Sequence, residues 1–349
     1  MRQPFSGFLA TTMTVVVAWA IIRLFDFTTF TTWTAWIFMC AIPGQILISV
    51  SWKGNPSFVA HLAQPAKGGV LLLSTLAIAA VVAVVCYVTI GGGIAPPVPM
   101  LVVYTIFTVI VMFWLAIMFG GWPFVSLTET PFVSGLSMLV ACYGLSFVVF
   151  RTFCNFAFLR GAPIYVPALD PGGLFDANLA LAFIVTAVAV LFLLLHFDLW
   201  PLATIPSLMR QPILGIVWTG LALAIGGLAM HIGIAILHMS ALSFMVKVPI
   251  PFIFGTIVVL NMLQGTLFQR LPQPVKGLGN AAVAMVGGLL LAFLYGRVAP
   301  ILTGTLSSGE PGFDYERWVA SALLGVTFPL LIAFSEYFKL WPLMRRRSS

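Results

Sequence analysis

A lysine followed almost at once by two prolines, Lys247-Val248-Pro249-Ile250-Pro251, is the arrangement in this chain with the clearest capacity for chemistry. It interrupts an apolar stretch, and a cation at the centre of a membrane helix costs roughly 2.5 to 3.5 kcal/mol on insertion scales. Proline has no N–H, so carbonyls one turn earlier are left for water, another helix or a ligand. A cation beside freed backbone groups suits a small anion or carboxylate. His231 and His238 precede it, about 10.5 Å apart along a helix, too far to share one metal ion but able to approach a solute from the side. Imidazole also titrates near neutral pH, which suits His231 to a proton relay. The candidate binding set is therefore Lys247, His231, His238, Pro249 and Pro251. The competing reading begins the helix after the prolines and leaves Lys247 in an outer loop or snorkelling to the surface.

Other chemistry is thinly represented. His61 and His196 fall near helix ends, and no HxxxH or HxxHH cluster occurs. His196-Phe197-Asp198 could set an imidazole against a carboxylate, or simply cap a helix. Cys40, Cys86, Cys142 and Cys154 form no CxxC pair, so neither a disulfide framework nor a thiolate metal site is indicated. Asp26, Glu129, Asp198 and Glu336 sit near helix ends, while Asp170, Asp176, Glu310, Asp314 and Glu316 fall in two longer outer loops. No carboxylate is placed mid-span, which weakens the case for ion-coupled pumping. No nucleophile or metal constellation is recognisable, and no catalytic residue, metal or cofactor is assigned.

The elements that must position these residues are membrane helices. Hydrophobic residues make up 61% of the 349 and charged residues 7%, which excludes an ordinary soluble globule. The net charge of +7 comes from cations at the ends of apolar runs, so it reads as a topology signal and not as nucleic-acid binding. Ten spans are predicted: 8–25, 32–51, 68–90, 98–120, 132–150, 178–196, 213–238, 241–264, 277–298 and 318–338. Arg2 and the apolar run after it resemble a secretory signal, but Ala18-Trp19-Ala20 lies inside the run, which favours an uncleaved anchor.

A two-helix repeat organises the spans. Trp52 precedes Gln64-Pro65, Trp122-Pro123 precedes Pro131, Trp200-Pro201 precedes Gln211-Pro212, and the chain closes on Trp341-Pro342; Leu271-Pro272-Gln273-Pro274 is a related junction. The marks recur about every 70 residues, room for two crossings of about 20 residues each. The sequence thus predicts an all-α, polytopic integral membrane protein of about ten transmembrane helices arranged as repeated parallel helical hairpins. The whole chain, 1–349, forms one transmembrane domain with junctions near 52–67, 122–134, 200–215 and 268–279. Glycines concentrate on the seventh and ninth spans, for tight packing or to line a narrow path. Proline breaks fall on even-numbered spans, at Pro43, Pro249, Pro251 and Pro329.

With the N-terminus cytoplasmic, Arg2, Lys53, Lys67, Arg210, Arg270, Lys276, Lys339 and Arg345 to Arg347 are inside, ten cations, against Arg23, Arg151, Arg160, Lys247, Arg297 and Arg317 outside, six. The positive-inside rule then puts both termini and every aromatic-Pro junction in the cytoplasm, in a membrane of the bacterial inner type. The functional expectation is a multi-pass channel or transporter for a small solute, an anion or carboxylate. The alternative is a non-catalytic subunit that scaffolds a membrane complex. Expected partners are the lipid bilayer, a small-molecule solute, and complex partners or further copies of the chain, with no nucleic acid.

Overall fold

Alternate helices are buried to very different degrees, and that alternation defines the architecture. The computed structural model describes residues 2–310 and 312–344, so Arg345 to Arg347, counted above among the inside cations, lie outside the described residues. The chain is an all-α membrane protein with ten helices long and apolar enough to cross a bilayer: α1 (Phe5–Ile22), α2 (Phe27–Ser51), α3 (Ala66–Thr89), α4 (Pro99–Met118), α5 (Pro131–Phe153), α6 (Ala177–His196), α7 (Ile213–Ile236), α8 (Ala241–Met262), α9 (Val275–Thr303) and α10 (Asp314–Tyr337). In the even-numbered helices 56–72% of the apolar window is buried, in the odd-numbered ones only 22–44%. The even helices therefore form the interior, and the odd ones present their apolar faces outward to lipid.

Packing closes the even helices into a ring. α2 packs on α4, α4 on α6, α6 on α8, α8 on α10, and α10 back on α2. Each odd helix lies outside, in the groove between two of them: α3 against α2 and α10, α5 against α4 and α2, α7 against α6 and α4, α9 against α8 and α6, α1 against α10 and α8. The glycine-rich α7 and α9 thus pack from outside, which removes the expectation that odd helices line a path. At the α8–α9 seam the approach is backbone to backbone, since a Cβ on Gly255 would strike the Ala284 carbonyl and one on Gly288 the Pro251 carbonyl.

One set of contacts recurs at the end of the bundle that carries both termini, where Gln3 Nε2 lies 3.7 Å from Met344 Sδ. Four odd helices start after Gln-Pro, and in each case the glutamine Nε2 donates to a carbonyl at the end of an even helix. Gln3 reaches Met262 O (2.9 Å), Gln64 Tyr337 O (2.6 Å), Gln211 Met118 O (2.8 Å) and Gln273 His196 O (3.2 Å). In the last three the glutamine Oε1 also accepts the N–H of Gly68, Gly215 or Gly277, one turn into its own helix. One side chain thereby satisfies a first-turn donor of one helix and a last-turn acceptor of another. The fifth, α5, starts after Thr130, and here Trp52 Nε1 donates to Pro131 O (2.9 Å) instead. Each even helix then ends in two consecutive left-handed residues, Lys53-Gly54, Gly120-Gly121, Asp198-Leu199, Gln264-Gly265 and Lys339-Leu340, with φ between 49° and 80°.

The opposite, far end is closed by loops. Asp26 caps α2 by accepting from Thr29, whose hydroxyl and amide hold that carboxyl below the ordinary carboxylate range. Asp176 caps α6 through the N–H groups of Asn178 and Leu179. Two short parallel strands, β1 (Cys154–Asn155) and β2 (Phe175–Asp176), tie down the loop between α5 and α6. Inside it, Asp170 accepts from Tyr165 Oη and from the amides of Phe156 and Gly172.

Candidate functional site: the interior of the helix ring

Hydrogen bonds on α4 fix which of its faces looks inward. Tyr104 Oη donates to Tyr143 O on α5 (3.0 Å), and Thr105 receives Trp36 Nε1 from α2 (2.9 Å). At 100° per residue the remaining direction belongs to Val102, Ile106, Val109 and Phe113. The three aliphatic residues are half-buried and Phe113 is buried. Its ring meets Phe192 of α6 at 5.2 Å between centroids and Phe328 of α10 at 6.2 Å, both edge to face. α4 and α10 are not neighbours, because α2 stands between them, so Phe113 and Phe328 meet across the space the ring encloses. These three phenylalanines close it.

The plug adjoins irregular backbone. Phe113 is followed directly by a π-helical turn (Trp114–Met118), and Phe328 directly follows another (Ser321–Thr327). π-turns also close α2 (Leu47–Ser51), α7 (Ile232–Ile236), α8 (Val258–Met262) and α10 (Ala333–Tyr337), so the two beside these rings belong to a recurrent feature of the bundle. Next to Phe328, the Pro329 carbonyl accepts from Gln45 Nε2 of α2 (2.9 Å), while Gln45 Oε1 is buried without a partner. Between α6 and α8, buried His196 shares a hydrogen bond with Thr256 Oγ1 (2.9 Å) through Nε2, and its Nδ1 has no partner. His196 and Asp198 are not paired. Asp198 takes Lys276 Nζ of α9 (2.7 Å) and Gln273 Nε2 just before it (2.8 Å). Partial burial raises the Asp198 pKa, but those two hydrogen bonds outweigh it and hold the carboxyl below its ordinary value. At the same end Glu336 accepts Asn261 Nδ2 (3.0 Å) and pairs with Lys339 (2.8 Å).

At the far end, Glu316 departs from the sequence expectation. It lies not in a loop but in the first turns of α10, which begins at Asp314 and not at 318, and it is buried. It accepts from Ser308 Oγ (2.7 Å), Gly309 N (3.2 Å) and Ser243 Oγ of α8 (3.4 Å). A carboxylate can be buried at this depth because three donors replace its water. The mouth beside it holds an open cavity of about 510 Å³ lined by Asp176, Asn178, Ser240, Leu242, Glu310 and Phe313.

The sequence-derived candidates are dispersed. Lys247 ends the first half of α8, is exposed, and makes no hydrogen bond or ion pair among the described residues. It stands one turn beyond Ser243, on the side of α8 that turns toward α10. Pro249 and Pro251 open the second half of α8 and are buried, with the Pro251 carbonyl against Gly288. His231 is exposed on α7 in the outer ring, and His238 is exposed in the turn between α7 and α8 at φ 52°. Among the described residues no three His, Cys, Asp or Glu side chains gather as metal ligands. No family model, no curated protein and no solved structure matches this chain.

Proposed function

We propose that the chain is a membrane channel or transporter for a small solute, built from five helical hairpins set about one axis. Its path would run through the ring of even helices, shut in this conformation by Phe113, Phe192 and Phe328. The observation that carries the reading is the plug itself. Three side chains, two of them abutting π-turns, occupy the interior of a closed helix ring. The equivalent clamps formed by Gln3, Gln64, Gln211, Gln273 and Trp52 support the hairpin repeat, each joining an odd helix to the even helix three before it around the ring. In this reading the solute is an anion or carboxylate; Lys247 stands beside the Pro249–Pro251 break of inner helix α8, while His231 and His238 lie on or beside outer helix α7, away from the axis. Both termini are cytoplasmic, in a bacterial-type inner membrane.

A dry interior also suits the alternative, a subunit that scaffolds a complex, and one experiment separates the two. Liposomes holding the purified protein are loaded with potassium chloride, and chloride efflux is followed with Phe328→Ala and Phe113→Ala made singly. Removing a ring from the plug is expected to raise efflux at least about tenfold over the wild type, the size of effect a side-chain constriction commands in a pore. Folding is checked by melting in the same detergent. If both variants fold and efflux stays at that of empty liposomes, the ring is not a path and the scaffold reading stands.

A further inference from the structure

The turn that buries Glu316 also fixes the direction of its neighbour Arg317. Tyr315 packs outward, its hydroxyl against Gly296 of α9. Glu316 faces α8 through Ser243, and Trp318 lies between the start of α2 and outer helix α9, its ring 6.0 Å from Phe30 and 6.3 Å from Tyr295. At 100° per residue these three take the outward direction and the two flanks of α10. Only the ring interior is left for Arg317. The side chain is exposed, although it belongs to a helix that is 72% buried over its apolar window, and it makes no hydrogen bond or ion pair among the described residues.

The same test applied to α8 turns Lys247 toward the α10 flank with Ser243, so it does not share this placement. The acids nearby are otherwise engaged. Glu316 is held by Ser243, Ser308 and Gly309, Asp314 by Ser307, and Asp176 by the α6 N-terminus. Glu310, exposed on the rim of the far cavity, is the one acid left to compete.

We infer that Arg317 is the anion-receiving residue of the path: a fixed, unneutralised guanidinium inside the far mouth that concentrates small monovalent anions ahead of the phenylalanine plug. This rests on the transport reading and names the substrate class for it. A single charge at a narrow mouth with low-dielectric walls governs which ion enters, because the walls focus its field. A planar guanidinium also suits nitrate or a carboxylate as well as chloride.

The test uses the full chain in a planar bilayer under a potassium chloride gradient, with Phe328→Ala as the conducting background and Phe113→Ala as a second one. The background is expected to favour chloride over potassium. Adding Arg317→Glu should lower the chloride-to-potassium permeability ratio by about tenfold or more, while Arg317→Lys keeps it within about twofold. Arg297→Glu, the same charge change on outer helix α9 where Arg297 lies over Phe293, should leave the ratio unchanged. A ratio that ignores Arg317→Glu in a conducting background overturns this inference alone. Failure of both folded backgrounds to conduct removes the transport reading and this inference with it.

Discussion

Neighbouring glycines on α9 offer a matched perturbation of the ring's tightest seam. A methyl group added at Gly287 meets nothing within 4 Å, whereas one added at Gly288 would overlap the Pro251 carbonyl and crowd the Gly255 amide. Both substitutions make the same chemical change, one residue apart, so helix propensity cancels between them. What remains is contact. At Gly288 the obstructing atoms are backbone, so no side chain can swing aside, and α8 and α9 must move apart along a seam where Gly255 and Ala284 also touch. Overpacking costs about 1–3 kcal/mol, and a backbone-to-backbone clash belongs at the upper end. Taking about 3 kcal/mol and about 2–4 °C per kcal/mol, Gly288→Ala should melt roughly 6–12 °C below Gly287→Ala. The assay is intrinsic tryptophan fluorescence during heating in one detergent. If Gly288→Ala melts with or above Gly287→Ala, the helices are not in backbone contact and the assigned seam is wrong.

Two further outcomes follow from the loops. Cys154 is fully buried beside β2, and burial, with a smaller contribution from the Asp176 charge, pushes its thiol up to about 12; it should resist maleimide at pH 8 in the folded protein and react once the protein is denatured, and rapid labelling of the native form would contradict the β1–β2 arrangement. Reporter fusions after Trp122 and Trp200 should read cytoplasmic and fusions near Gly92 and Gly172 external, and the reverse pattern would invert the orientation and move Arg317 to the cytoplasmic mouth.

The spans were legible because a bilayer imposes length and hydrophobicity directly, and all ten ranges read from the sequence overlap the helices found. The division into inner and outer rings was not. α3 and α6 have the same mean hydropathy of 2.7, yet 22% of the first window and 56% of the second are buried. In lipid an apolar side chain is equally at home against a neighbour or a hydrocarbon tail, so composition carries little record of which it meets. A partial signal lay in the breaks, since Pro43, Pro249, Pro251 and Pro329 fall on inner helices, where neighbours can satisfy the groups they free, although Pro300 lies near the end of outer helix α9. Gln-Pro is legible as a helix start, but the glutamine's reach to another helix is not, and Gln3-Pro4 has no preceding tryptophan junction to mark it. Phe113, Phe192 and Phe328 are three among 30 phenylalanines, and only ring closure distinguishes them. Arg317 was counted as a topology cation, because its direction depends on the partners of Tyr315, Glu316 and Trp318.

The same geometry leads to the expectation that Phe113, Phe192 and Phe328 can be altered without dismantling the ring. The ring is held at its terminus side by bonds that do not involve the phenylalanines: four glutamine side chains and Trp52, each pinning an outer helix to the end of an inner one. The glutamines precede outer helices and donate to the last carbonyls of inner ones, and Trp52, at the end of α2, donates to the first carbonyl of α5; lipid could not satisfy these groups. Along its length the ring is held by close seams such as Gly255–Ala284 and Gly325–Ala35, again away from the axis. The phenylalanines contribute three rings joined through Phe113, and cutting one to alanine costs about 3–5 kcal/mol if the space stays empty. Under the proposed transport reading that space need not stay empty, because removing a ring would join it to both ends of the path and admit water. The clamps and the plug therefore answer to different tests. Loss of stability without a gain in efflux would mean that the rings are ordinary core; efflux gained in a protein that still melts cooperatively would mean that the ring is a scaffold and the phenylalanines are its closure.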